Sequence, residues 1–510
     1  MPPSRPLETG LSIATAATAE PQALRQASLA HWTVGWHIAE PTGAKPLDDA
    51  PLPLFPHSLA NKDRPMTTGR SFPPEFLWGT SSAAFQVEGA AAQDGRADSI
   101  WDVFARTAGA IADGTDATKA CDHYNRVAED VALMAALGVG AYRFSTAWPR
   151  IVPEPTGRPN ARALDHYDQV VDRCLAAGVE PWVCLYHWDL PQWAEDEGGW
   201  PARTVVGRFA DYAEAVASRL ADRVCHWVPV NEPGNFLWGG YATGKAAPGR
   251  QDSDDTIRGF HHVTYATAEA TRAIRAVRAD ARIGNAMSLS PVKPASADPA
   301  DVGAAERLRA LWNRAIPMAA MTGRYPAIVA QTLDDATGGA ASRDPIGAAW
   351  DFIGINYYRG RVASFAPHMP LSADWAPYPP GTKLSSQGKA IDPDGLREML
   401  LWLKEAFPGT DLFITENGTS AIEQTGGDGQ IVDTDRIAYL RDYLAAAADA
   451  VAAGVPLKGH FLWSLLDNFE WEHGLTQRYG IVSVDYDTLA RTPKASFDWY
   501  RRVIETGMLG

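Results

Sequence analysis

The chain has 510 residues, with 46 Lys or Arg against 61 Asp or Glu and a formal net charge of −15. That balance excludes a generally basic nucleic-acid binder. Hydrophobic residues make up 46% and charged residues 21%, which is ample for a globular core.

Residues 1–70 stand apart. They hold 10 prolines and 11 alanines, with six basic and six acidic residues, so the whole −15 belongs to residues 71–510. Without sustained periodicity they are expected to form an irregular extension. Its aromatic patch, His31-Trp32-Thr33-Val34-Gly35-Trp36-His37, reads either as a docking segment or as a plain adhesive tail, and Met66 is a candidate alternative start. The N-terminus has no continuous apolar stretch of the signal-peptide kind, and no run approaches the roughly 18 apolar residues a membrane span needs. Cys121, Cys174, Cys184 and Cys225 form no Cys-x-x-Cys pair. Reduced, mostly buried thiols and a cytoplasmic location are therefore expected, with no membrane or nucleic-acid partner and no metal or cofactor.

From residue 71 a rhythm of strands and helices begins. Runs rich in β-branched and aromatic residues occur at 76–85, 141–148, 180–189 and 224–233, then at 281–289, 352–358, 412–418 and 458–467. Their continuous apolar character predicts strands buried on both faces, as in parallel sheets. Between them lie helical patterns. Tyr124, Val127, Val131, Met134 and Leu137 recur at three- or four-residue spacing and stop at Gly138; Phe209, Tyr212, Val216 and Leu220 mark a second helix within 203–223. Gly178 and Gly454 end further helices just before strands. Eight strands alternating with helices predict a single-domain (β/α)₈ TIM barrel over 71–510, not the three domains that length alone would suggest.

The runs end in groups a core would not choose. In order they finish on Gln86 and Glu88, carry Arg143, and finish on His187-Trp188-Asp189, Asn231-Glu232, Asn356-Tyr357-Tyr358 and Glu416-Asn417; the last carries Trp463, with Asp467 and Asn468 just beyond. In a parallel barrel these edges converge on the mouth that holds the catalytic loops. Glu232 and Glu416 stand out because each ends a strongly apolar strand. Paired carboxyls can protonate a leaving oxygen and attack an anomeric carbon or activate water. No phosphate-binding glycine loop, His-Glu-x-x-His or Gly-x-Ser-x-Gly supports metal, nucleotide or serine chemistry.

Eight stretches carry a specific resemblance: FPPEFLWGTSSAAFQVEG, YRFSTAWPRI, LYHWDLPQW, VNEP, GYATGKAAPG, FIGINYY, FITENG and FLWSLLDNFEW. In this order they resemble glycoside hydrolase family 1 along some 440 residues. The resemblance implies a retaining β-glucosidase, with Glu232 as acid/base and Glu416 as nucleophile, the carboxyls about 5–5.5 Å apart. It further implies that Arg143 and Tyr358 hold Glu416 ionised and that Asn231 donates to the sugar 2-hydroxyl. Gln86, His187 and Glu470 would grip outer hydroxyls, Trp188 and Trp471 would offer indole donors, Trp463 would lie under the ring, and Tyr479 would complete the sugar site. The implied substrates are β-glycosides or oligosaccharides, and the oligomeric state stays open.

Glu470-Trp471 is similar to members acting on unphosphorylated sugars, and the Ser, Lys and Tyr pattern of 6-phosphosugar members is missing. The chain departs from the family at Gly234-Asn235, where an aromatic residue is common, at Leu475, where Tyr is common, and at Tyr479, where Phe is common. The missing ring at 234 is expected to widen the aglycone cleft. Alternatives are a β-galactosidase, β-fucosidase or transglycosylase of the same family, a non-catalytic carbohydrate-binding protein, and a barrel of different chemistry.

Overall fold

A computed structural model describes residues 70–427 and 429–509. Of the expected extension only Arg70 is included; the aromatic patch and Met66 lie outside the described residues. Eight strand positions alternate with helices: β1 (Leu77–Ser81), β2 (Ala141–Ser145), β3 (Glu180–Tyr186), β4 (His226–Val230), β5 in two pieces (Arg282–Ile283 and Ala286–Ser288), β6 (Phe352–Asn356), β7 (Asp411–Asn417) and β8 (Leu457–Leu462). All pair in parallel, with β1 between β2 and β8. The first piece of β5 pairs with β4 and the second with β6, and Glu232 N donates to Ala286 O at 2.8 Å, so the ring closes as a (β/α)₈ barrel.

The expected unbroken run at 281–289 is interrupted at Gly284-Asn285. A Cβ at Gly284 would meet Phe352 O at 2.1 Å, so the neighbouring strand presses on a position that only glycine fits. Asn285 Oδ1 accepts from Val230 N at 3.0 Å, a side chain standing in for a missing rung of the ladder.

The barrel interior is packed at its lower end. Trp182 from β3 meets Phe352, Phe413 and Phe461, from β6, β7 and β8, with ring centroids 5.3, 4.9 and 4.9 Å away, and stacks on His226 at 4.1 Å. These rings, with Ala141, Val228 and Ala286, form a buried cluster. Layers of side chains fill a small barrel in this way, and only the C-terminal end is left for chemistry.

The expected helices are present as α1 (His123–Leu137), which ends at Gly138, then α2 (Ala161–Ala176) and α3 (Thr204–Leu220). Cys121, Cys174 and Cys184 are buried free thiols and Cys225 is half-buried. No described helix is long and apolar enough to cross a membrane. Beyond β5 and β6 the chain forms a small sheet of Val292–Pro294, Arg361–Phe365 and Ala373–Ala376. This sheet brings Arg361 and Trp375 to the mouth side of the barrel.

Candidate active site

Glu232 lies just beyond β4, after Asn231, and turns the chain into the short helix Pro233–Leu237. Its φ of +48° is left-handed, a conformation that costs a non-glycine residue roughly 1–2 kcal/mol. The bonds from Glu232 N to Ala286 O and from Asn235 N to Glu232 O, 2.8 and 3.0 Å, hold it there. Glu416 is the penultimate residue of β7. Both glutamates line one cavity, together with His187, Trp188, Tyr358, Trp463, Glu470 and Trp471. Trp188 and Trp471 also have positive φ, +78° and +49°, so strained backbone gathers around this cavity.

The two carboxyls have different surroundings. Glu416 Oε1 accepts from Arg143 Nη1 at 2.7 Å and Oε2 from Tyr358 Oη at 2.7 Å. Glu232 Oε2 accepts from Asn235 Nδ2 at 2.5 Å, its Oε1 is buried without a direct partner, and the Asn356 amide is near enough to favour its ionised form. Burial, reinforced by the Glu416 charge, pushes Glu232 up to about 7. Burial also lifts Glu416 above the ordinary carboxylate value, but Arg143 and Tyr358 oppose the rise. Of the pair, Glu416 therefore gives up its proton first.

Asn231 joins the pieces. Its Oδ1 accepts from Arg143 Nη2 at 2.5 Å and Asn356 Nδ2 at 2.9 Å, and its Nδ2 donates to His187 Nε2 at 2.9 Å. With Nε2 accepting, the His187 ring hydrogen sits on Nδ1, which is buried without a partner. Burial and Arg143 hold His187 well below its ordinary value, so it is a neutral donor. Trp463 stacks over His187 at 5.6 Å, and Trp471 lies against Trp188 at 4.5 Å.

Three of the expected sugar contacts are arranged differently. Trp188 Nε1 donates to Asn231 O at 3.1 Å, so its N–H secures the Asn231 backbone and only its ring faces the cavity. Gln86 Nε2 is directed at Asn468 Oδ1, Phe469 O and Glu470 Oε2, at 3.0, 2.8 and 3.4 Å, which leaves its Oε1 as the free group. Tyr479 sits behind the lining residues: its hydroxyl bonds Gln387 Oε1 at 2.5 Å and accepts from Lys389 Nζ at 2.9 Å. Gln387 in turn donates to Glu470 Oε1 at 3.2 Å.

Not every polar strand end reaches the mouth site. Glu88 pairs with Arg150 at 3.1 Å and accepts from Tyr167 at 2.6 Å inside the wall. Asp467 is bound by Lys494 at 2.8 Å, and the Tyr357 hydroxyl donates to Asp392 O at 3.0 Å. Nor is the cleft widened beside Gly234. A Cβ there would meet the Trp312 indole at 3.2 Å, so a ring from another part of the chain fills the space. Sequence reasoning missed Arg359, Arg361, Gln387 and Lys389, and it placed Asn356 at a polar strand end and Asn235 beside the acid/base without giving either a role. Asn235 carried the one available signal, since it follows Glu232 by three residues at the start of a helix.

The profile of glycosyl hydrolase family 1 matches residues 68–508. The chain belongs to this family. It is 44% identical over 450 residues to thermostable beta-glucosidase B of Thermobispora bispora, covering 85% of this chain and 90% of that one. It is 39% identical over 446 residues to beta-glucosidase A of Acetivibrio thermocellus, covering 85% and 98%. Among solved structures, the family 1 β-glucosidase of Thermotoga maritima in complex with isofagomine lactam superposes with a TM-score of 0.82 at 37% identity, covering 87% of this chain and all of that one. As a family 1 member the chain is a glycoside hydrolase, and its substrates are glycosides.

Proposed function

We propose that the chain is a retaining β-glucosidase that releases terminal non-reducing β-glucosyl residues, with Glu416 as nucleophile and Glu232 as acid/base. The observation that carries the assignment is the asymmetry of the two glutamates in one cavity. Glu416 is held at both oxygens by Arg143 and Tyr358, whereas Glu232 retains its proton to about 7. In the first step Glu416 attacks the anomeric carbon, the bond to the aglycone oxygen breaks, and the Glu232 proton passes to that oxygen. In the second step Glu232 takes a proton from water, the water oxygen attacks the anomeric carbon, and Glu416 leaves. Two inversions give net retention.

Asn231 is suited to the 2-hydroxyl because Arg143, Asn356 and His187 fix its amide and leave one N–H free. His187 Nδ1, Gln86 Oε1 and Glu470 supply donors and acceptors for the remaining hydroxyls, above the Trp463 floor.

The test compares 4-nitrophenyl β-glucoside cleavage by wild type, Glu416→Ala and Glu232→Ala. Glu416→Ala should be nearly inactive and recover with azide to give the α-glucosyl azide. Glu232→Ala should lose most on poor leaving groups and give the β-azide. Full activity in either variant would overturn the roles.

A further inference from the structure

The two-step chemistry uses Glu232, Glu416, Arg143 and the sugar-facing groups, and leaves three cations of the same cavity without a task. Arg359, Arg361 and Lys389 line it beside the two glutamates. Arg143 is paired with Glu416, but among the described residues none of these three lies within ion-pair distance of a carboxylate. Arg361 is wedged between indoles, its guanidinium carbon 4.5 Å from the Trp312 ring centre and 4.6 Å from that of Trp375. It donates to Asn235 Oδ1 at 3.1 Å, and its Nε is buried with no acceptor. Lys389 lies 4.8 Å from the Tyr358 ring centre and donates only to the Tyr479 hydroxyl.

Such crowding is costly. Burial pushes Arg361 down to about 9, with the nearby Arg359 charge adding to the shift, and burial also lowers Lys389, opposed by the Glu470 charge more than it is helped by Arg359. The aromatic faces offset part of that cost but provide no counter-charge. The carboxylates of the same lining, Glu232, Glu416 and Glu470, stand beyond ion-pair distance of the three cations, although Glu470 and Glu232 still favour the charged form of Lys389. The result is a group of cationic side chains on one part of the lining, none with a direct carboxylate partner among the described residues.

Position identifies what these cations meet. Arg361 holds Asn235, and Asn235 holds Glu232, the group that protonates the departing oxygen. Of the proposed sugar grips, Gln86 lies against Glu470, and Glu470 is linked through Gln387 and Tyr479 to Lys389, so Lys389 stands between the sugar side and Arg361. The planar guanidinium, fixed between two rings, suits a planar two-oxygen anion. We propose that Arg361 and Arg359, with Lys389 beside them, form a subsite for a carboxylate carried on the aglycone, so that β-glucosides of carboxylate-bearing alcohols are favoured substrates. This rests on the β-glucosidase reading of the same cavity.

The experiment uses the full chain with 4-carboxybenzyl and 4-carbamoylbenzyl β-glucosides, which match in size and in the reacting oxygen and differ in charge. The wild-type kcat/KM ratio of carboxylate to carboxamide should be about tenfold at low salt. It should fall toward one as ionic strength rises from roughly 0.02 to 0.5 M. It should fall likewise in Arg361→Gln and in Arg359→Gln. A ratio cancels any general loss of catalysis, and Arg359→Gln together with the salt series decides the matter if Arg361→Gln fails to fold. Cleavage of both substrates at a wild-type ratio of one or below would overturn the subsite, as would a ratio unmoved by salt and by Arg359→Gln. Cleavage of neither substrate, with no release of glucose from 4-nitrophenyl β-glucoside, would overturn the β-glucosidase reading itself.

Discussion

Asn235 donates its side-chain amide to Glu232 Oε2 at 2.5 Å, across the first turn of the helix that begins at the catalytic position. A neutral donor on a carboxyl oxygen favours the ionised form. This bond therefore works against the burial and the Glu416 charge that raise Glu232 to about 7.

Replacing Asn235 with Ala should move the basic limb of the kcat/KM profile to higher pH, because the acid form of Glu232 then persists further. A pH series on 4-nitrophenyl β-glucoside reads the limb. A limb that stays in place or moves down would show that Asn235 does not act on Glu232.

Tyr358→Phe removes the 2.7 Å bond to Glu416 Oε2 and leaves the ring packed against Tyr479. A hydrogen bond to a charged group contributes about 1.5–3 kcal/mol, so kcat/KM should fall about 10- to 150-fold. The acid limb should also move up, since Glu416 loses a group that favours its charge. A loss below about threefold would mean that this bond does not serve the reacting form.

Asp189 is 1% exposed, and neither carboxyl oxygen has a partner among the described residues. Burial pushes it up to about 8. Below about pH 4 the folded and unfolded chains both hold this proton. Between there and about 8 the folded chain keeps it while the unfolded chain releases it, so stability falls as pH rises. Asp189→Asn removes that slope. Its melting temperature relative to wild type should climb from acid to neutral pH and level off above about 8. A pH-independent difference would exclude a neutral Asp189.

Gly234→Trp tests the filled cleft. The Trp312 indole already stands 3.2 Å from the first carbon such a side chain would add. Overpacking of this kind costs about 1–3 kcal/mol or more. The variant should melt at a lower temperature, and the seat of Arg361 against Trp312 should be disturbed. An unchanged melting temperature with altered aglycone preference would instead restore the open cleft expected from the sequence.

The strands were legible because β2 and β6 are buried at every position and β3, β4 and β7 at all but the first, so their sequences carry no polar face. The fifth strand was read as continuous because its break depends on a contact with Phe352, about 70 residues away. Glu232 and Glu416 were recognisable as carboxyls ending apolar runs. Glu88, Asp189 and Asp467 bear the same signature in the sequence, and only the distant partners Arg150 and Lys494, or the lack of any, separate them from the site. Arg361 and Lys389 lie outside the barrel strands, where nothing local distinguishes them among 46 basic residues. The Trp188 indole was assigned to the sugar because hydrogen-bond competition from the Asn231 carbonyl is invisible along the chain.

The Trp182 plug gives the barrel a one-way architecture. With Phe352, Phe413 and Phe461 packed around it, the floor of the barrel is filled among the described residues. Glycoside, departing alcohol, incoming water and free glucose must share one doorway, and traffic through it is sequential. On the roles proposed above, the alcohol has to clear before water reaches the sugar held on Glu416.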